Sequence, residues 1–184
     1  MEWLHDLFRA NDIDKTELWE HIQKIANKEY RKKNGLILQG PPNCFKPQLL
    51  RLLFSPLHIA PMTRSNSSNN FWLQSVINQP LCLYEEPLIT PQDVNDWKLI
   101  LEGAVVKTPV KNQPDELVER TPFFITTNEP LGKWINRVDN EAIKERVITH
   151  VFRIQINNDA DQGRFRMAPS TITPIDIFMF LNYA

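Results

Sequence analysis

The run Gly40-Pro41-Pro42-Asn43-Cys44-Phe45-Lys46-Pro47 aligns over its full length with the phosphate-binding loop G-x-x-x-x-G-K-[ST]. In such a loop successive backbone N–H groups form an anion-binding nest at a helix N-terminus, and the lysine meets the outer phosphates. Gly40 and Lys46 fill two of the four fixed positions, with Asn43 among the residues that wrap the anion. Phe45 stands where a second glycine lets the backbone turn. It is expected to be strained at positive φ and to bring a bulky ring to the phosphate site. Pro47 stands where a Ser or Thr gives a hydroxyl to Mg²⁺ and an N–H to phosphate, and proline has neither. Two hydrogen bonds to charged groups amount to roughly 3–6 kcal/mol, or about two to four orders of magnitude in affinity. The loop is therefore expected to have lost tight ATP binding. An ordinary structural turn is the competing reading, since P-P-N is common loop chemistry.

A second group of candidates follows downstream. The apolar run Leu81-Cys82-Leu83-Tyr84 ends in Glu85-Glu86. Opposite a phosphate loop, such a pair supplies one acid for Mg²⁺ and one to polarise an attacking water. Two solvated glutamates at a strand end look the same in isolation. The basic run from Lys28 to Lys33 reads as favourable charge at a helix C-terminus rather than as a DNA patch.

These groups need elements to hold them. Gly35 to Gln39 is a short apolar strand without alternation, as expected of a strand buried on both faces, and Gln48 to Phe54 is a leucine-rich helix. Ahead of them, Trp3, Leu4, Leu7 and Phe8 share one face of a helix over Glu2 to Ala10. Asp14 (or Asp12) caps a second helix that carries Leu18, Trp19, Ile22 and Ile25. Beyond the loop helix come a strand over Leu57 to Met62, a polar loop over Arg64 to Asn70 and a short helix over Phe71 to Ile77. Thr90-Pro91 opens a helix that Gly103 stops, and Ala104 to Glu119 is a hairpin with a polar tip. Pro122 to Thr127 is a third core strand ending at Asn128. Asn140 to Arg146 is a helix, Val147 to Ile156 a strand and Asn157 to Gly163 a turn, and Thr173 to Asp176 cap a last helix. Strands alternating with helices give an α/β fold with a mainly parallel sheet flanked by helices.

Composition sets the limits. The 184 residues are 42% hydrophobic, enough for one well-packed domain, and the net charge of −1 gives no global attraction to nucleic acid. No long apolar span and no signal-peptide pattern is present, so an intracellular protein, nuclear or cytoplasmic, without a membrane partner is expected. Cys44 and Cys82 form no C-x-x-C unit, and the four histidines lack metal-ligand spacing.

In sequence order the chain carries G-P-P-N-C-F-K, then Y-E-E after a strand, then W-K-L-I-L-E-G followed by V-K and V-K. After these come R-T-P-F-F-I-T-T-N and A-I-K-E-R-V-I-T-H-V-F. Over nearly its whole length it resembles the superfamily 3 helicase domain of parvovirus large non-structural replication proteins. The resemblance implies an AAA+-like P-loop NTPase core over residues 34–184, with a helical collar over residues 1–33 through which rings form. It implies ATP and Mg²⁺ as cofactors, with Lys46 on the outer phosphates, Glu85 on Mg²⁺, Glu86 orienting the water and Asn128 as polar sensor. Arg146 matches the arginine finger that acts on a neighbouring subunit's ATP. Lys111, with Lys107 second, matches the hairpin lysines that grip single-stranded DNA.

The chain opens at the collar, so the origin-nicking nuclease domain of such proteins is not expected in it. A diverged viral domain, or a viral gene fragment captured by a host genome, is the expected origin. The expected function is an impaired helicase-like module with a residual role in binding single-stranded DNA weakly or pairing with helicase subunits. An active ATP-dependent helicase and a folded remnant are the alternatives. Without nucleotide the chain is expected to be mostly monomeric.

Overall fold

Five parallel strands form the central sheet of the computed structural model, which describes residues 2–57, 59, 62–63, 71–156 and 171–183. They are β1 (Gly35–Gln39), β2 (Met62–Thr63), β3 (Cys82–Glu85), β6 (Phe123–Thr127) and β7 (Val147–Val151), in the spatial order β2-β3-β6-β1-β7. The remaining strands, β4 (Val106–Val110) and β5 (Gln113–Val118), form the expected antiparallel hairpin as a separate two-stranded sheet.

Successive side chains of a strand point to opposite faces, and β1 is apolar on both. Leu36 and Leu38 face one side, with Leu83, Phe124 and Phe152. That face is covered by α1 (Glu2–Ala10), α2 (Lys15–Ala26), α3 (Lys46–Phe54) and α6 (Pro174–Asn182), through Leu4, Leu7, Ile22, Leu49 and Phe180. Ile37 faces the other side with Tyr84, Phe123 and Ile125. There α4 (Val94–Glu102) contributes Trp97 and Ile100, α5 (Arg137–Lys144) contributes Ile143, and the hairpin contributes Val106 and Val118. Cys82 is buried on this face, and burial pushes its thiol far above the usual range, which leaves it inert.

Local chemistry explains where the elements begin and end. Asp14 caps α2 by accepting from the N–H groups of Thr16 and Glu17, and α6 opens on a reciprocal Thr173–Asp176 capping box. Helix α4 begins at Val94 rather than at Pro91, because Asp93 Oδ1 accepts from both the N–H and the hydroxyl of Thr90 and folds 90–93 into a turn. Helix α5 begins at Arg137 rather than Asn140, since Asn136 caps it. Strand β7 stops at Val151, short of Ile156, because the buried Asn11 side chain accepts from the N–H groups of Arg153 and Ile154 and draws the chain off the ladder. The strand expected over Leu57 to Met62 is only Met62–Thr63, preceded by a 3₁₀ turn at Ser55–Leu57. Around Phe71 to Ile77 the helix shrinks to a 3₁₀ turn at Gln74–Val76. The polar loop 64–70 and the turn 157–163 lie outside the described residues.

Candidate nucleotide site

The loop after β1 leaves the sheet at the carboxyl ends of its strands, the usual ligand crevice of an open α/β sheet. Gly40 donates its N–H to Thr127 O at 3.0 Å, and a Cβ there would lie 2.2 Å from Phe152 O, so no other residue fits without moving the backbone. Asn43 and Phe45 both adopt the left-handed conformation, at φ 55° and 72°. The strain expected at Phe45 is therefore present. Its ring is 6% exposed and meets Trp3 of α1 edge-on, with centroids 5.1 Å apart, while Phe45 also lines the cleft beside the loop. Burying a phenylalanine gains about 1.5–3 kcal/mol, which offsets a left-handed residue costing about 1–2 kcal/mol.

Lys46 is buried and its ammonium sits inside the loop. It donates to Gly40 O at 2.6 Å, Pro41 O at 2.7 Å and Asn128 Oδ1 at 3.2 Å, with Cys44 Sγ at 3.1 Å. Asn128, at the end of β6, also donates its N–H to Glu86 Oε2 at 3.2 Å. Glu86 is held at φ 49° and donates its own N–H to Thr126 O. A non-glycine residue kept in that conformation, linked through an asparagine to a buried lysine, is the kind of outlier found at working sites. Lys46, Asn128 and Glu86 thus form one continuous chain of contacts.

Glu85 is engaged differently. Arg51 of α3 directs Nε and Nη2 onto its Oε1, both at 2.7 Å. A cleft of about 540 Å³ opens beside the loop, lined by Asn43, Pro47, Gln48, Arg51 and Glu85 among others. The residues do not fit a magnesium ion well here: Pro47 has no side-chain oxygen, and the Glu85 carboxylate already holds a guanidinium on Oε1. Among the described residues no group of three His, Cys, Asp or Glu could hold a metal ion.

The other candidates lie elsewhere. Arg146 precedes β7, whose Val147 pairs with Gly35 at the far end of β1, about 16 Å from the loop at 3.3 Å per residue. There it is held by Glu102 Oε2 at 2.8 and 3.1 Å and by Ala142 O at 2.6 Å. Lys111 and Asn112 form the hairpin turn, with Lys111 exposed and its N–H on Gln74 Oε1 at 3.3 Å. Lys107 lies on the strand and pairs with Asp115 at 3.4 Å. Sequence reasoning missed Arg51 and Glu102. The spacing of Arg51, four residues after Pro47 on one helix face, was the available signal.

Residues 4–182 match the family described as parvovirus non-structural protein NS1. The initiator protein NS1 of Aedes densonucleosis virus (strain GKV 002 002) is 34% identical over 88% of this chain and 19% of its own length. That of human parvovirus B19 (isolate AU) is 26% identical over 83% of this chain and 23% of its own. The chain thus spans about a fifth of these relatives. Among solved structures, a JCV helicase superposes with a TM-score of 0.54 at 19% identity, over 75% of this chain and 40% of that one. The NrS-1 C-terminal region (305–718) superposes at 0.56 with 17% identity, over 99% and 42%. At those identities the superpositions establish the fold alone, a mainly parallel α/β sheet flanked by helices. The chain belongs to the parvovirus non-structural protein NS1 family.

Proposed function

We propose that this chain is a superfamily 3 helicase module with a degenerate phosphate loop: it binds ATP weakly, hydrolyses it poorly, and keeps a role in holding single-stranded DNA or other helicase subunits. The observation that carries this reading is Pro47 at the first turn of α3. Proline is well suited to open a helix, where its missing N–H has no partner within the helix. In a phosphate loop that N–H belongs to the ligand, and so does the hydroxyl of the residue normally found there. The same residue that starts α3 well removes two ligand bonds.

The rest of the site supports a nucleotide rather than an ordinary turn. Gly40 and Asn43 adopt the turning backbone of such a loop, Lys46 places a cation inside it, and Asn128 and Glu86 reach that lysine through one chain of contacts, which supports roles for them as sensor and water-orienting base. Bound anion would draw the Lys46 ammonium from the Gly40 and Pro41 carbonyls. The Lys46–Asn128–Glu86 chain also favours a second reading, an active ATP-dependent helicase in viral DNA replication. Calorimetric titration of ATP with Mg²⁺ separates the two. The first reading predicts a Kd of about 1 mM, with binding abolished in Lys46→Ala; a micromolar Kd with steady turnover would overturn it in favour of the second.

A further inference from the structure

Resting on the reading of residues 40–47 as a nucleotide loop, we propose that Arg51 replaces the metal ion here, so that the cleft takes a nucleoside triphosphate in its metal-free form. Three observations converge. Position 47 lacks any side-chain oxygen for a cation. Glu85, the carboxylate at the end of β3 beside the loop, receives two N–H groups of Arg51 on one oxygen. Arg51 and Pro47 lie four residues apart on α3 and line the same cleft with Glu85 and Asn43.

A helical side chain lies back over the turn before it, which carries the Arg51 head toward the position-47 end of α3. Its guanidinium is charged at every accessible pH and has five donors, of which Glu85 engages two. A guanidinium matches phosphate oxygens, and the half-exposed Arg51 can offer a ligand its remaining donors while Glu85 keeps two. A divalent cation entering beside it would meet the charges of Arg51 and Lys46 and find the Glu85 oxygen already neutralised. Metal-free triphosphate, with its full negative charge, suits two fixed cations better than the magnesium complex does.

Equilibrium titrations of ATP, with excess Mg²⁺ or with EDTA, test this on the parent, Arg51→Gln and the double variant Pro47→Thr/Arg51→Gln. The parent is expected to bind ATP at least threefold more tightly in EDTA. Arg51→Gln should lose at least tenfold in EDTA, and the double variant should reverse the preference and bind better with Mg²⁺. Inorganic tripolyphosphate in EDTA should bind more weakly than ATP; equal binding would overturn the nucleotide assignment. Arg51 is exposed enough for its variants to fold, and thermal melts of each check this. Unchanged binding by Arg51→Gln, or tighter parent binding with Mg²⁺, would overturn the inference. Should the parent bind ATP in neither condition, the inference fails. If the double variant then binds Mg²⁺-ATP, the loop reading survives; if it does not, both fall.

Discussion

Phe45 combines a left-handed backbone at φ 72° with a buried ring against Trp3, so glycine at this position would act in two opposing ways. Phe45→Gly relieves about 1–2 kcal/mol of backbone strain but removes an aromatic ring from the core, a loss of about 3–5 kcal/mol. The variant should therefore be less stable by roughly 2–3 kcal/mol in urea denaturation and should gain no ATP affinity. An increase in stability would show that the ring is not packed on α1. The loop substitutions were legible in the sequence because a motif is local. The ring's destination was not, since Trp3 lies far upstream and only the packing of α1 against the loop brings the two together. Arg51 was illegible for the same reason: its partner Glu85 belongs to another strand.

At the scale of elements, the hairpin and the α2–β7 contact each carry a prediction. On the hairpin, Lys111 is exposed at the turn with no ion pair among the described residues, while Lys107 is tied to Asp115. Lys111→Ala should remove most single-strand binding seen at low salt by fluorescence anisotropy, and Lys107→Ala should remove less. Two phosphate contacts give a log–log salt slope of about −1.4, so binding should be weak at physiological salt. Equal binding by Lys111→Ala and the parent would strip the hairpin of this role. Between α2 and β7, His21 Nδ1 lies 3.0 Å from His150 Nε2. A neutral pair shares one hydrogen bond, and two imidazoliums have no acceptor and repel. Burial holds His150 below its usual pKa, the His21 charge adds to this, and Glu17 opposes it. The unfolded chain then binds more protons than the folded one, so this contribution is present above about pH 6.5 and is lost as pH falls through the lowered value. The melting temperature should drop between about pH 7.5 and 5.5, and His150→Gln should flatten that dependence. The hairpin was legible from its polar tip between apolar runs, but the histidine pair was not, because its two members are joined only by tertiary packing.

The whole molecule is a parallel sheet between two helical layers, and this level was the most legible, because buried parallel strands read as continuous apolar runs. Where strands ended was less so: Asn11, remote in sequence, decides the end of β7. Arg146 bears on assembly, since within one chain it is bound to Glu102 and lies far from the loop. To act on a neighbour as a finger Arg146 would have to leave that carboxylate, and the weak nucleotide binding proposed above would supply little to draw it away. Light scattering near neutral pH without nucleotide should give a mass near 21.6 kDa, and a stable hexamer would contradict this. The central claim is that Pro47 limits nucleotide binding by this loop. Calorimetric titration of ATP with Mg²⁺ into the parent and Pro47→Thr tests it most directly. The account predicts a parent Kd of about 1 mM and binding about tenfold tighter in the variant, as expected for regaining about 1.4 kcal/mol. Identical affinities for the two proteins, or micromolar binding by the parent, would contradict it.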